Sequence, residues 1–167
     1  MSTLPLLRSC LERLLEEHKE LLELAEEKKQ VLINGSLNEL QIIVAKESQR
    51  VNKIKDYDEE RQRLVQEFLI LKGIRRQDHS LRDCIPLMES QEEQRMFSQL
   101  RNELRELLLR LNRINGLNQQ LLEQSMSFVQ YTLEVLTEDN APTVTYGNPL
   151  NQATAKRSGK GFFDSKV

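Results

Sequence analysis

Apolar residues recur three and four positions apart in three separate runs. The first holds Leu4, Leu7, Leu11 and Leu14 and continues through Leu21, Ala25 and Leu32. This spacing draws one face of a helix with coiled-coil character. His18 and Lys28 fall on the same face and make the seam imperfect. Thr3 is the predicted N-cap, and Pro5 sits in the first turn, where a missing N–H is harmless. Asn34-Gly35 is a helix-stop signal. Ser36-Leu37-Asn38-Glu39 follows at once with the spacing of a capping box. The connection is therefore about two residues long, and the second helix must return antiparallel to the first.

The second run reads Leu37, Leu40, Val44, Val51, Ile54, Val65 and Phe68, interrupted by Glu47, Asp58 and Arg61, and Gly73 closes it. Residues 74–90 are less regular. Ser80-Leu81-Arg82-Asp83 predicts a short capped helix that Pro86 ends. The third run starts near Met88 and contains Phe97, Leu100, Leu104, Leu107, Leu111, Ile114, Leu121, Phe128 and Val135, reaching about Glu138. At 1.5 Å per residue it spans roughly 75 Å, against roughly 45 to 55 Å for the first two. It must overhang its partners, bend or break. Gly116 is the expected weak point, since an interior Gly costs ~1 kcal/mol relative to Ala.

Composition agrees with this reading and narrows it. Of 167 residues, 29 are Leu, 30% are charged and 5% are aromatic, with 6 Gly, 4 Pro and no Trp. That balance fits long helices and lacks the turn residues of a sandwich or barrel. The expected fold is all-α: long antiparallel helices in a coiled-coil-like bundle over residues 1–139, with a C-terminal tail over residues 140–167. The tail is polar and contains Gly and Pro, and its composition predicts disorder. Four Lys/Arg against one Asp give it +3, while the rest of the chain is acidic. It keeps Tyr146, Leu150, Phe162 and Phe163, bulky residues of the kind that dock.

The chain offers no convincing active site. Asp78-His79-Ser80 has the letters of a catalytic triad, but contiguous side chains diverge and cannot converge on one reacting atom. His18 has no second His or Cys at ligand spacing. There is no phosphate-cradling Gly loop, so neither an enzyme nor a cofactor or metal site is expected. Cys10 and Cys84 form no disulfide framework, which fits a reducing compartment. A net charge of −2 and the absence of interleaved basic and aromatic residues argue against nucleic acid. No run approaches the ~20 apolar residues of a membrane span, and no signal peptide opens the sequence. The expected location is the cytosol.

What remains is binding. Because the third run outlasts the other two, Leu121, Leu122, Phe128, Val129 and Leu133 have no obvious partner. Such a face suits an amphipathic segment of another protein or a second copy equally well. A structural coiled-coil adaptor or homodimeric scaffold is the rival reading. A membrane-surface helix fits less, since Glu dominates the first helix.

Several segments together resemble the FlgN family of flagellar type III export chaperones. They are Val31-Leu32-Ile33-Asn34-Gly35-Ser36-Leu37-Asn38-Glu39-Leu40, then Leu111-Asn112-Arg113-Ile114-Asn115 with Asn118-Gln119-Gln120-Leu121-Leu122-Glu123-Gln124-Ser125, similar to the family's Asn-x-x-Asn-x-x-Leu-Leu stretch. Thr145-Tyr146-Gly147 and the ending Gly161-Phe162-Phe163-Asp164-Ser165-Lys166-Val167 complete the match. The resemblance implies a chaperone of bacterial flagellum biogenesis, without enzymatic activity or cofactor. It implies cytosolic binding of hook-associated junction proteins of the FlgK and FlgL kind and delivery to the cytoplasmic domain of the export gate. On this chain the implied cargo face is Leu121, Leu122, Phe128, Val129, Leu133 and Leu136. Tyr146 and Gly147 are the implied gate-docking element, and Leu150, Phe162 and Phe163 are possible tail contacts.

Overall fold

The computed structural model describes residues 3–75 and 80–139, with the side chains of 138 and 139 excluded. Among them α1 (Thr3–Asn34), α2 (Leu37–Leu71), α3 (Leu81–Cys84) and α4 (Gln91–Asp139) are α-helices, a 3-10 turn covers Ile85–Leu87, and no strand occurs. The all-α expectation holds. The expected tail, residues 140–167, lies outside the described residues, as do Asp78 and His79.

The ends of the first two helices follow the sequence signals. Gly35 adopts φ +73° and its N–H reaches the Val31 carbonyl at 2.9 Å, so α1 ends on a left-handed cap. Gly73, at φ +82°, closes α2: its N–H bonds Ile70 O, and Ile74 N–H bonds Leu69 O, both at 2.9 Å. Two capping expectations need correction. Thr3 is the buried first residue of α1 and not a flanking cap. Ser36 is extended as an N-cap should be, but its side chain makes no cap hydrogen bond; the capping box forms instead between Ser80 and Asp83 at α3. Ser90, whose Oγ accepts the Glu92 N–H at 3.2 Å, starts α4 three residues later than Met88.

α1 is the central helix. α2 returns antiparallel along one side of it and α4 runs parallel along the other, while α2 and α4 share little contact. At the N-terminal end of α1 a core cluster gathers Leu7, Leu11 and Leu14, then Leu64, Val65, Phe68 and Leu69 of α2, with Leu81, Cys84, Met88 and Phe97. Further along, Leu15, Leu22 and Ala25 pack on Leu107, Leu111 and Ile114.

This arrangement corrects the predicted stripe of α2. Its C-terminal half is buried as expected, but Leu37, Val44 and Val51 are exposed, Leu40 and Ile54 are half-buried, and Ile43 is the buried residue of the N-terminal half. With α4 seated against α1, that half of α2 has one neighbour and can bury only a narrow arc. The charged interruptions find each other. Lys28 and Glu47, each misplaced on its own stripe, pair across α1 and α2 at 2.9 Å. Arg50 binds Glu17 at 2.9 Å and also reaches Glu20. Burial pushes the Glu17 carboxyl up, but hydrogen bonds and charge from Arg50 and Lys53 outweigh it, and the net shift is downward.

Candidate functional site

The stripe on α4 continues past the helix it packs on. Phe97, Leu107, Leu111 and Ile114 are buried, and the next core position, Asn118, donates from Nδ2 to the Ala25 carbonyl at 2.8 Å. That bond fixes the level of α4 against α1. Asn34, the last residue of α1, then stands level with about residue 127, and α4 runs on for about 18 Å past the end of α1. The helix is continuous through Gly116, so of the three expected outcomes the overhang is the one found, and the break at Gly116 is not. Packing of Ile114 and Asn118 on either side offsets the ~1 kcal/mol propensity cost of that glycine.

The overhang is not an ordinary amphipathic end. At 100° per residue, Tyr131, Val135, Phe128, Leu121, Leu136, Val129, Leu122, Leu133 and Met126 cover an arc of roughly 220°. Two adjacent rows lie within it. Leu121, Phe128 and Val135 prolong the core stripe; Leu122, Met126, Val129, Leu133 and Leu136 form a second row spaced 4-3-4-3, the heptad pattern. Phe128 is 70% exposed, and Val129 and Leu133 are more than half exposed.

The overhang and the α1–α2 turn enclose an open apolar groove of about 1170 Å³. One wall is Leu122, Phe128, Val129 and Leu133; the other is Val31, Leu32, Ile33, Leu37 and Leu40. Four of the six predicted cargo residues thus meet in one place. Leu121 is half-buried on the bundle side, and Leu136 is exposed beyond the groove. Tyr146, Gly147, Leu150, Phe162 and Phe163 lie outside the described residues. The stripe pattern does not reveal the second wall, because Leu37 and Leu40 fall on the second apolar run like any packed residue. Its signal was the pair Ile33 and Leu37, large apolar residues flanking a tight turn.

Among the described residues, the rest of the surface carries no competing chemistry. A second depression of about 920 Å³ between α1 and the first half of α4 is lined mainly by Lys19, Gln94, Arg95, Asn102, Glu103 and Arg110. These charges of mixed sign converge on no common point of attack. The Cys10 thiol donates to the Tyr57 carbonyl at 3.1 Å, and burial pushes it up to about 11; burial likewise pushes Cys84 up to about 11. Both are poor nucleophiles at neutral pH. His18 is buried, with Nδ1 at 2.7 Å from the Leu14 carbonyl. Among the described residues, no group of three His, Cys, Asp or Glu is placed to hold a metal ion. No described helix is long and apolar enough to cross a membrane.

Among the described residues, the longest helix of the bundle projects an apolar end that no other helix covers, a geometry that suits an amphipathic segment. The family described as "FlgN protein" matches residues 1–154, and the chain belongs to the FlgN family. This is a family of flagellar export chaperones and not of enzymes. The chain is also 28% identical over 159 residues to "Uncharacterized protein YvyG" of Bacillus subtilis (strain 168), covering 94% of each chain. No solved structure matches.

Proposed function

We propose that this chain is a cytosolic chaperone that binds hook-associated junction proteins of the FlgK and FlgL kind and delivers them to the flagellar export gate. The observation that carries this reading is the groove between the α4 overhang and the α1–α2 turn. Its two apolar walls border an open space of about 1170 Å³. An amphipathic helix laid there would complete a four-helix arrangement at this end of the bundle. The apolar face of such a segment, if left bare, would pair with other copies of itself; covered by the groove it stays single. The process needs no nucleotide, because release follows from moderate affinity. Delivery is assigned to Tyr146 and Gly147, seven and eight residues beyond Asp139 in the sequence.

The test is calorimetric titration of a junction-protein terminal segment into wild-type chain and into Leu122→Asp/Val129→Asp. Two carboxylates in the groove must be desolvated when cargo enters. Binding should be lost while the circular dichroism spectrum and melting temperature stay unchanged, since both positions are exposed. Unchanged affinity would remove the groove from the cargo site.

A further inference from the structure

The uncovered part of α4 is acidic as well as apolar. From Gln91 to Arg113 the helix carries five basic and four acidic residues; from Ile114 to Asp139 it carries Glu123, Glu134, Glu138 and Asp139 and no Lys or Arg. Among the described residues, Glu123 is also the one charged residue lining the groove. This sign selects among occupants. A second copy paired along this face would bring another acidic surface without Lys or Arg against the first, an approach of like sign. The chain's own residues 140–167 have the complementary sign. Lys156, Arg157, Lys160 and Lys166 face one Asp164, and Phe162-Phe163 adjoin Lys160.

Reach is sufficient. The segment begins where α4 ends, at Asp139, and Val129 lies ten helical residues back, about 15 Å. Phe162 is 23 residues beyond Asp139, and a coil of that length spans about 25 Å. A tether so matched to its span holds the two at an effective concentration on the order of mM, so even a weak contact is populated. We propose that residues 156–163 dock back onto the groove of their own chain. Phe162 and Phe163 lie on Leu122, Val129 and Leu133, and Lys156, Arg157 and Lys160 lie beside Glu123 and Glu134. The segment is an intramolecular cap over the apolar overhang. Any other occupant has to displace it. Where that occupant is cargo, which rests on the function proposed above, the cap sets the affinity threshold for loading.

The experiment uses the full chain with an uncharged nitroxide on Gln130→Cys, a groove-lining position. Cys10 and Cys84 are buried and remain unlabelled. Amide signals of residues 156–163 should lose more than half their intensity and regain most of it in the same chain carrying K156E, R157E and K160E. Equal loss in the charge-reversed chain, or no loss in either, overturns the cap. Loss that appears when labelled chain is mixed with isotope-enriched unlabelled chain assigns the contact to a second copy and overturns it too. The cargo titration separates the two readings. With both correct, charge reversal raises cargo affinity several-fold. Signal loss in a chain that binds no cargo overturns the cargo reading alone, and cargo binding without signal loss overturns the cap alone.

Discussion

The two halves of α4 are built from the same kind of sequence and meet opposite fates. Up to Asn118 the stripe is buried, with Phe97 at 1% exposure and Leu111 at 5%; beyond it Phe128 stands at 70% and Leu133 at 57%. Hydrophobicity does not separate them, since both halves carry a broad apolar arc. Partner length does. α1 has 32 residues and α4 has 49, and the helices start near the same level. Periodicity therefore specifies that a helix forms and which face is apolar, but not whether that face is filled. Charge marks the difference a second time. The buried half balances its signs across the solvated face, whereas the overhang has shed every basic residue.

The largest effect expected from this comparison is at the covered end. Phe97→Ala leaves a cavity beneath α1, α2 and the α3 segment and should cost about 3 to 5 kcal/mol. Urea unfolding followed by circular dichroism measures it. A cost below about 1 kcal/mol would mean that α4 is held on the bundle by something other than this cluster.

Most of the fold was legible in the residues because its punctuation is strong. Gly35 and Gly73 cap helices where left-handed backbone is required, and Ser80 with Asp83 caps α3. Once those stops fix three lengths, arithmetic leaves an overhang, a bend or a break, and the continuity of α4 through Gly116 decides for the overhang. The exposure of Val44 and Val51 was not legible, because it depends on α4 choosing the flank of α1 over the cleft beside α2. Stripe positions do not encode that choice; it depends on which faces meet. Half of the candidate site escaped for the same reason. Leu37 and Leu40 look like ordinary stripe residues until the turn beside them is seen to face α4. Lys28 and Glu47 looked like defects in two seams and are one ion pair between them.

The boundary between the halves is Asn118, and the next effect is smaller and of opposite sign. Its Nδ2 holds the Ala25 carbonyl, but its Oδ1 is buried with no hydrogen-bond partner. The Ala25 carbonyl keeps its helical bond if the side chain is replaced. Asn118→Leu removes an unpaired buried acceptor and adds apolar contact, so stability should rise by about 1 kcal/mol. A buried polar residue at a seam position fixes register at a cost in stability. The gain should therefore come with a looser register, read as additional amide signals for residues around Ala25. A stabilised variant with one sharp set of signals would show that the apolar contacts alone set the level of α4. Destabilisation would show that the single hydrogen bond outweighs its unpaired oxygen.

The smallest effect tests the overhang itself. Phe128 is the most exposed large apolar side chain on it, although it occupies the helical phase of the buried stripe. If phase determined burial, Phe128→Ala would cost about 3 kcal/mol or more, as at Phe97. If partner length determines burial, the side chain is already in water, and truncation should change stability by under about 0.5 kcal/mol. Helix propensity even favours Ala slightly at an exposed site. The same change should weaken binding of an amphipathic segment in the groove, because Phe128 lines it and aromatic side chains carry a large share of interface energy. Melting temperature and titration on one variant therefore read the two quantities apart. A melting temperature unchanged beside a weakened titration places Phe128 on a binding surface. A fall in melting temperature comparable to that of Phe97→Ala would mean that Phe128 is held in a packed core, more tightly than a displaceable cap would hold it, and that the two halves of α4 are alike after all.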